Sequence, residues 1–341
     1  MNETSTADPN TGTVVAADRD RAQLEQDLEG FRRELTGYCY RMLASSAEAE
    51  DAVQETMVRA WRALDRFEGR SSLRTWLYRI ATNVCLDALD GRQRRERPVD
   101  LGPASTVATA KLSTRPDDVW VEPAPDGRVL PSTGDPADLA VERETVRLAF
   151  VAALQHLPPR QRAVLVLREV LRWQASEVAT LLDTTVASVN SALQRARATL
   201  ATTDVQEREQ TPLDDEHRAL LARYVDAFAR YDVDELVTLL HEDATMSMPP
   251  YELWLQGPQE IAGWLLGPGA ECRGSHVEVV AANGTVAYGQ YRPSGPGGAF
   301  EPWSLTVVQA SGGRVTDLVA FLDVDRLFPL FGLPAVPDAP A

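Results

Sequence analysis

Lysine is nearly missing from this chain. Of its 34 Lys and Arg residues, Lys111 is the single lysine; so one-sided a choice reads as genome base composition rather than chemistry. Cysteine is scarce too. Cys39, Cys85 and Cys272 are odd in number, far apart and set among apolar neighbours. That excludes a disulfide framework, leaves buried free thiols and fits a reducing cytoplasm. Four histidines stand at no metal-ligand spacing, so no metal and no cofactor are expected. No apolar run approaches about 18 residues, which argues against a membrane-spanning helix. The start, MNETSTADPN, lacks the pattern of a signal peptide and reads as a disordered lead-in over residues 1–18.

What is present is length and acidity. At 341 residues the chain exceeds one comfortable core, so two or three domains are expected. The formal net charge of −16 is unevenly placed: −2 over residues 1–97, −4 over 98–140, +3 over 141–200 and −13 over 201–341. Nucleic acid therefore remains a plausible partner for the first 200 residues. Within this acidic chain, four arginines fall in six residues: Arg92, Arg94, Arg95 and Arg97.

Residues 19–97 read as a helical domain. Leu24, Leu28, Phe31, Leu35, Tyr38 and Met42 form one stripe at helical spacing. Ser46 is the expected cap of a second helix with Val53, Met57, Ala60, Trp61 and Leu64 inward. Ser71 or Ser72 caps a third, with Leu73, Trp76, Leu77, Ile80 and Val84 inward. Residues 98–138, rich in Pro, Ser, Thr, Gly and Asp, read as a mobile linker able to separate two modules by tens of ångströms. Residues 139–203 are helical again and end in two short helices joined by a tight turn, a helix-turn-helix pattern that other helical hairpins imitate. There Val186, Val189, Leu193, Ala196 and Leu200 face inward. Residues 204–213 are a second linker. Residues 214–328 run from helices to an antiparallel sheet with Ala-Asn-Gly and Ser-Gly-Gly hairpin turns, an α+β domain. The apolar, Pro-rich tail 329–341 is expected to dock.

Two stretches carry a family likeness. The segment AEDAVQETMVRAWRALDRFEGRSSLRTWLYRIATNVCLDALDGRQRR resembles domain two of the extracytoplasmic-function class of bacterial sigma factors. LQHLPPRQRAVLVLREVLRWQASEVATLLDTTVASVNSALQRARATL resembles their domain four. The C-terminal part resembles the SnoaL-like cone fold that some of these factors carry. The resemblance implies two all-α domains joined by a linker, an α+β cone domain, and a function in promoter recognition and opening with core RNA polymerase. Polymerase then supplies much of the DNA affinity, which makes a net acidic chain tolerable. Arg74, Arg79, Asn83 and Asp87 would sit near the bases of the minus-ten element, and Arg92, Arg94 and Arg95 at phosphates. Thr185, Ser188, Asn190, Ser191, Gln194, Arg195 and Arg197 would meet the minus-thirty-five element. Asn190 and Gln194 have the chemistry to pair with adenine; Asn190 and Ala192 stand where many relatives are basic. Asp51, Gln54, Glu55 and Arg59 would dock on the beta-prime clamp helices, and the beta flap is a further implied contact.

In the C-terminal domain His241, Tyr251, Trp254 and Asp317 are candidates for a pocket holding a small ligand, with Asp243 and Asp323 as further polar candidates. His241-Glu242-Asp243 reads as a cap after a helix, and no catalytic pair stands out. The acidic domain would hold the two DNA-binding modules closed or screen their basic faces. Two rivals remain: a free helix-turn-helix regulator of duplex DNA, and a cyclase-type enzyme with helical appendages.

Overall fold

The computed structural model describes residues 23–24, 26–67, 69, 71–202 and 215–337. The lead-in 1–18, the linker 204–213 and the end of the tail lie outside the described residues. Domain two is built on α1 (Arg32–Leu43), α2 (Ser46–Ala63) and α3 (Leu73–Leu89). Leu35, Tyr38, Cys39, Met42, Val53, Ala60, Leu77, Ala81 and Cys85 meet in its core, so both of its thiols are buried. α1 ends on a left-handed Ala44, and Ser45, one residue before the expected cap, accepts from the Glu48 amide at 3.2 Å. Ser72 caps α3 through the Thr75 amide.

One expected core residue falls elsewhere. Trp61 is 54% exposed, because it lies one residue, about 100° of helix, from buried Ala60. Trp76 is half-buried and packs against the core as expected, with the Phe67 ring centroid 5.1 Å away.

The segment 98–138 corrects the expectation of a mobile linker. It is a strap, fixed at both ends and along its length. Its entry is held by the Glu96 amide donating to Val119 O and the Val121 amide to Glu96 O, at 2.7 and 3.1 Å. Further on it runs beside the C-terminal domain: the Ser105 amide donates to Trp254 O, Glu252 N to Ser113 O and Arg115 N to Pro250 O, at 2.9–3.1 Å. Composition misled here because the strap's backbone groups pair with another domain, which leaves no periodic signature of their own.

The strap ends in a short helix, α4 (Asp126–Val129), and domain four follows as α5 (Pro136–Thr145), α6 (Leu148–Leu154), α7 (Pro159–Leu165), a π-helical turn (Val166–Val170), α8 (Ala175–Leu181) and α9 (Val186–Thr202). Helices α8 and α9 form the helix-turn-helix. Val189, Leu193 and Ala196 are buried on α9, whereas Val186, expected inside, is 44% exposed because the helix begins there, beyond the edge of α8.

The C-terminal domain comprises α10 (Asp215–Ala229), α11 (Val233–Leu239), β1 (Leu240–Ser247), β2 (Trp254–Gln256), α12 (Pro258–Leu266), β3 (His276–Ala282), β4 (Thr285–Arg292), β5 (Glu301–Ser311), β6 (Arg314–Phe321) and α13 (Val324–Phe331). The strand order is β2-β1-β6-β5-β4-β3. The sheet is mixed, not antiparallel as expected, because β1 returns beside β6 in the same direction. One face packs on α10–α12 through Tyr288, Val308, Leu318, Leu221, Tyr224 and Ile261. The other, with Ala287, Tyr291, Leu305, Val307 and Phe321, meets Leu327, Phe328 and Leu333 and is continuous with the helical core. The tail does dock as far as it is described: the Tyr291 hydroxyl donates to Pro334 O at 2.9 Å, and the boundary drawn at 328/329 falls inside α13.

A fixed strap has a measurable signature. Amides of Ser105, Arg115, Val121 and Glu122 are expected to exchange with deuterium orders of magnitude more slowly than those of a free Pro/Ser/Thr chain. Hydrogen-exchange mass spectrometry of the full chain reads this directly, and free-chain rates over 98–130 would reject the fixed strap.

Candidate nucleic-acid and polymerase interfaces

Helix α3 divides its side chains between two faces. Leu77, Tyr78, Ala81 and Cys85 point inward, and Arg79, Asn83 and Asp87, four residues apart, are exposed together on the other side. Arg74 lies apart from that group. Its guanidinium pairs with Glu34 and lies 5.0 Å from the Trp173 ring of domain four. The arginine cluster also divides. Arg92 and Arg94 are exposed, the first paired with Glu48 and the second with Glu96 and with Nδ1 of His156 at 2.9 Å. Burial, and then the Arg94 charge, hold His156 below the usual histidine range.

Arg95 corrects the expectation of a phosphate contact in this arrangement. It is 7% exposed, donates to Trp120 O at 2.6 Å and reaches Glu48 at 3.0 Å and Glu122 at 3.6 Å. It anchors the strap.

On α2, Asp51, Gln54, Glu55 and Arg59 are all exposed along one face, with Arg59 bridging Glu55 at 2.7 Å and Asp87 of α3 at 3.7 Å. On and before α9, Thr185, Ser188, Asn190, Ser191, Gln194, Arg195 and Arg197 are all exposed. Thr185 Oγ1 accepts from the Ser188 amide at 3.1 Å and caps the helix. Arg195 donates to Ser191 Oγ at 2.6 Å, and Arg197 pairs with Glu169 at 2.7 Å.

The four pocket candidates do not form one group of mutual contacts. His241 is the second residue of β1, just after α11, its Nδ1 accepting from the Asp243 amide at 3.1 Å. Asp317, on β6, accepts from Thr245 Oγ1 at 2.9 Å. Trp254 donates its indole N–H to Gly102 O at 3.0 Å, and Tyr251 bridges Thr114. The last two are thus engaged with the strap.

The residues that organise the molecule lie between its domains. The tip of the β3–β4 hairpin wedges among domain two, the strap and domain four. Asn283 there is fully buried at φ 52°, followed by Gly284 at φ 72°, as a tight hairpin turn requires. Its Nδ2 donates to the Tyr40 hydroxyl at 2.6 Å and to Val146 O at 2.7 Å; its Oδ1 accepts from the Ala124 amide at 3.0 Å; its own amide donates to Ala124 O at 3.1 Å. Tyr40 in turn donates to Glu122 O at 2.7 Å. Glu122, 5% exposed, accepts from Ser45 Oγ at 2.7 Å and from Arg326 of α13 at 2.8 Å. A side chain at Gly284 would collide with the Arg143 carbonyl, 2.5 Å from where its Cβ would sit.

Domains two and four also touch directly. The Tyr78 and Trp173 rings lie 5.0 Å apart. Buried Arg41 of α1 pairs with Glu142 of α5 and donates to Thr145 Oγ1 at 2.8 Å. Arg162 of α7, 3% exposed, donates to Met42 O and to Gln155 Oε1, and burial pushes its pKa down to about 10. None of Asn283, Glu122, Arg41 or Arg162 was marked by the sequence reading. One signal was there: an arginine at position 41 inside the apolar run YCYRML.

Known proteins give this geometry its family. Sigma-70 region 2 matches residues 28–95, Sigma-70 region 4 matches 147–200, and the SnoaL-like domain matches 221–323. The chain is 46% identical to the ECF RNA polymerase sigma factor SigG of Mycobacterium tuberculosis over 329 residues, 95% of this chain and 87% of that protein. It is 33% identical over 152 residues to the ECF RNA polymerase sigma-E factor of Escherichia coli K12, spanning 45% of this chain and 71% of that protein. The crystal structure of the extracytoplasmic function sigma factor SigJ of M. tuberculosis superposes with TM-score 0.59 over 91% of this chain and 99% of that one, at 23% identity, a likeness of fold.

The chain belongs to the extracytoplasmic-function sigma factors of RNA polymerase and carries a C-terminal SnoaL-like domain. Sigma factors bind core RNA polymerase and promoter DNA, which sets aside the two rival readings of the whole chain. Among the described residues no helix is long and apolar enough to cross a membrane.

The junction carries a titratable group. Asp126, at the start of α4, accepts from the Gly284 amide at 2.8 Å, and burial raises its pKa from 3.8 to about 6 against the smaller opposing pulls of that bond, Arg143 and Arg33. The arrangement seen here thus binds more protons at this site than one in which the carboxyl is free in water. The stability from this group is fully present below about pH 4 and lost as pH rises through about 6. Asp126→Asn keeps the acceptor and removes the charge. At pH 7.5 it is expected to stabilise the closed arrangement by on the order of 1–3 kcal/mol and to flatten its pH 4–6 dependence, read as inter-domain energy transfer between labels on domains two and four.

Proposed function

We propose that this sigma factor is held in a closed, initiation-incompetent arrangement by its own C-terminal domain, which works as a binding module on the strap. The observation that carries this reading is the contact of Tyr78 with Trp173. The minus-ten and minus-thirty-five elements are separated by about 25 base pairs, roughly 85 Å of B-form duplex at about 3.4 Å per step. Two domains of about 65 residues in contact span only ~55 Å from outer surface to outer surface. One chain in this arrangement does not reach both elements. Released, the segment 98–138 reaches up to roughly 130 Å.

The geometry favours clamping over screening. The faces assigned to promoter bases, with Arg79 and Asn83 on α3 and Asn190 and Gln194 on α9, are exposed, while the C-terminal domain spends its contacts on the strap and on Tyr40 and Val146. In the open state Arg79, Asn83 and Asp87 would face the minus-ten bases, Arg92 and Arg94 the phosphates, and the exposed α9 residues the minus-thirty-five duplex. Asp51, Gln54, Glu55 and Arg59 would meet the beta-prime clamp helices, and domain four the beta flap. The factor would act in the cytoplasm, where its polymerase is.

Transcription in vitro with core polymerase tests the reading. Asn283→Gly keeps the positive φ of the turn and leaves buried polar groups of Tyr40, Ala124 and Val146 short of a partner. At about 1–3 kcal/mol per buried group, closure should weaken at least tenfold and specific initiation rise. A chain ending near residue 206 should initiate at least as well. If both variants initiate no better than the full chain, the clamp reading fails. On promoter DNA bound by the holoenzyme, Asn190→Ala should cost about 1–3 kcal/mol at one base position, whereas Arg195→Ala should weaken all sequences alike. Binding isotherms on single-base variants of the site separate the two.

A further inference from the structure

Beside the α2 face that we assign to polymerase lies a groove of about 590 Å³ between α1 and α2, closed at one end by α4 of the strap. Its lining includes Glu29, Glu50, Asp51, Gln54 and Arg128. Arg32 and Arg33 also line it, but the Arg32 guanidinium is taken up by Glu29 at 2.8 Å and that of Arg33 donates to Asp126 O of the strap at 3.4 Å. Into the acidic side of this groove the strap inserts one cation: Arg128 pairs with Glu50, the residue next to Asp51. Behind Arg128 the strap is seated firmly. Val129 is 3% exposed, and its carbonyl lies against α1 at Gly37, where any Cβ would overlap it. Gly37 is helical and needs no special φ; its lack of a side chain serves the approach of the strap.

We infer that α4 of the strap and RNA polymerase compete for this groove, with Arg128 standing in for a basic side chain on the polymerase helix that docks on α2. The inference rests on the assignment of Asp51, Gln54 and Glu55 to polymerase. It adds an occupant and a direction. Charge complementarity selects the partner chemistry: a helix-borne Arg or Lys reaching Glu50 and Asp51, which a strap bound through its own arginine denies it. Polymerase binding and strap release are then one equilibrium, and a ligand or partner that prefers one state shifts the other.

The test is the affinity of the full chain for core polymerase, with thermal melting as the check on folding. Arg128→Ala removes a surface ion pair, so binding should tighten by about two- to fivefold. Gly37→Ala improves the helix but evicts the Val129 carbonyl, and should tighten binding about fivefold or more. In the Arg128→Ala background, Glu50→Ala should weaken binding, because the freed carboxylate now belongs to the partner. Asp51→Ala with Glu55→Ala should weaken it in every background.

If that last pair leaves affinity unchanged, the docking assignment fails and the inference with it. If it weakens binding while Arg128→Ala, and Gly37→Ala where it folds, bind no tighter than the parent, the assignment stands and the competition is wrong. If both tighten but Glu50→Ala is silent in the Arg128→Ala background, the strap blocks polymerase elsewhere and the stand-in role of Arg128 is rejected.

Discussion

One buried amide side chain sets the arrangement of the whole molecule. Asn283 lies at the meeting point of domain two, the strap and domain four, and each of its hydrogen-bonding directions ends on a different one of them or on the strap twice. Away from water an amide is costly unless every group finds a partner. Here the partners exist only when three distant segments are together. The interaction is therefore cooperative by construction. It scores little while any one segment is absent, and its loss leaves groups stranded on all of them. Around it, Glu122 gathers Ser45, Arg95 and Arg326, and Gly284 lets the hairpin tip close on Arg143.

This explains a division of labour that charge counts obscure. The C-terminal third is strongly acidic, yet at the junction it contributes a neutral turn, a row of backbone hydrogen bonds to the strap and one cation, Arg326 on buried Glu122. Ion pairs at exposed edges, such as Arg115 with Glu252, add little each. Short-range, directional bonds give this arrangement a definite geometry and reduce its dependence on salt. Long-range charge would give neither. On the reading proposed above, the domain acts as the clamp of a linker and leaves the surfaces assigned to DNA exposed.

Much of this was legible in the chain. The stripes through Leu35, Tyr38 and Met42, and through Val189, Leu193 and Ala196, place the helices, because burial of one helical face imposes its period on the sequence. Exposed faces follow from the same geometry, so Arg79, Asn83 and Asp87, and Asn190 and Gln194, are found outside. What was not legible shares one cause: contacts between segments far apart leave no periodic trace. The strap has the composition of a mobile linker, and its order is supplied by residues 250–254 and 283. Arg95 looks like its neighbours Arg92 and Arg94, yet it is buried because Trp120 and Glu122 come back to cover it. Trp254 and Tyr251 have the look of pocket residues and serve as a docking rail. Asn283 reads as an ordinary turn residue, and the three residues it bonds lie up to 243 positions away.

The strap has one more effect, on the sheet. Strand β2 is one of the two edge strands of the sheet, and an uncovered edge strand offers unpaired N–H and C=O groups to any passing chain. Along this border the strap takes that place, with Ser105 beside Leu255 and with Ser113 and Arg115 bonded to Glu252 and Pro250. In the proposed open state this border on the C-terminal domain would be uncovered. On the proposed reading, an open factor left without polymerase would be exposed to self-association through that border, so closure would preserve solubility as well as silence, and the lifetime of a free open molecule would be bounded by how soon its strap, or another chain, pairs with the edge.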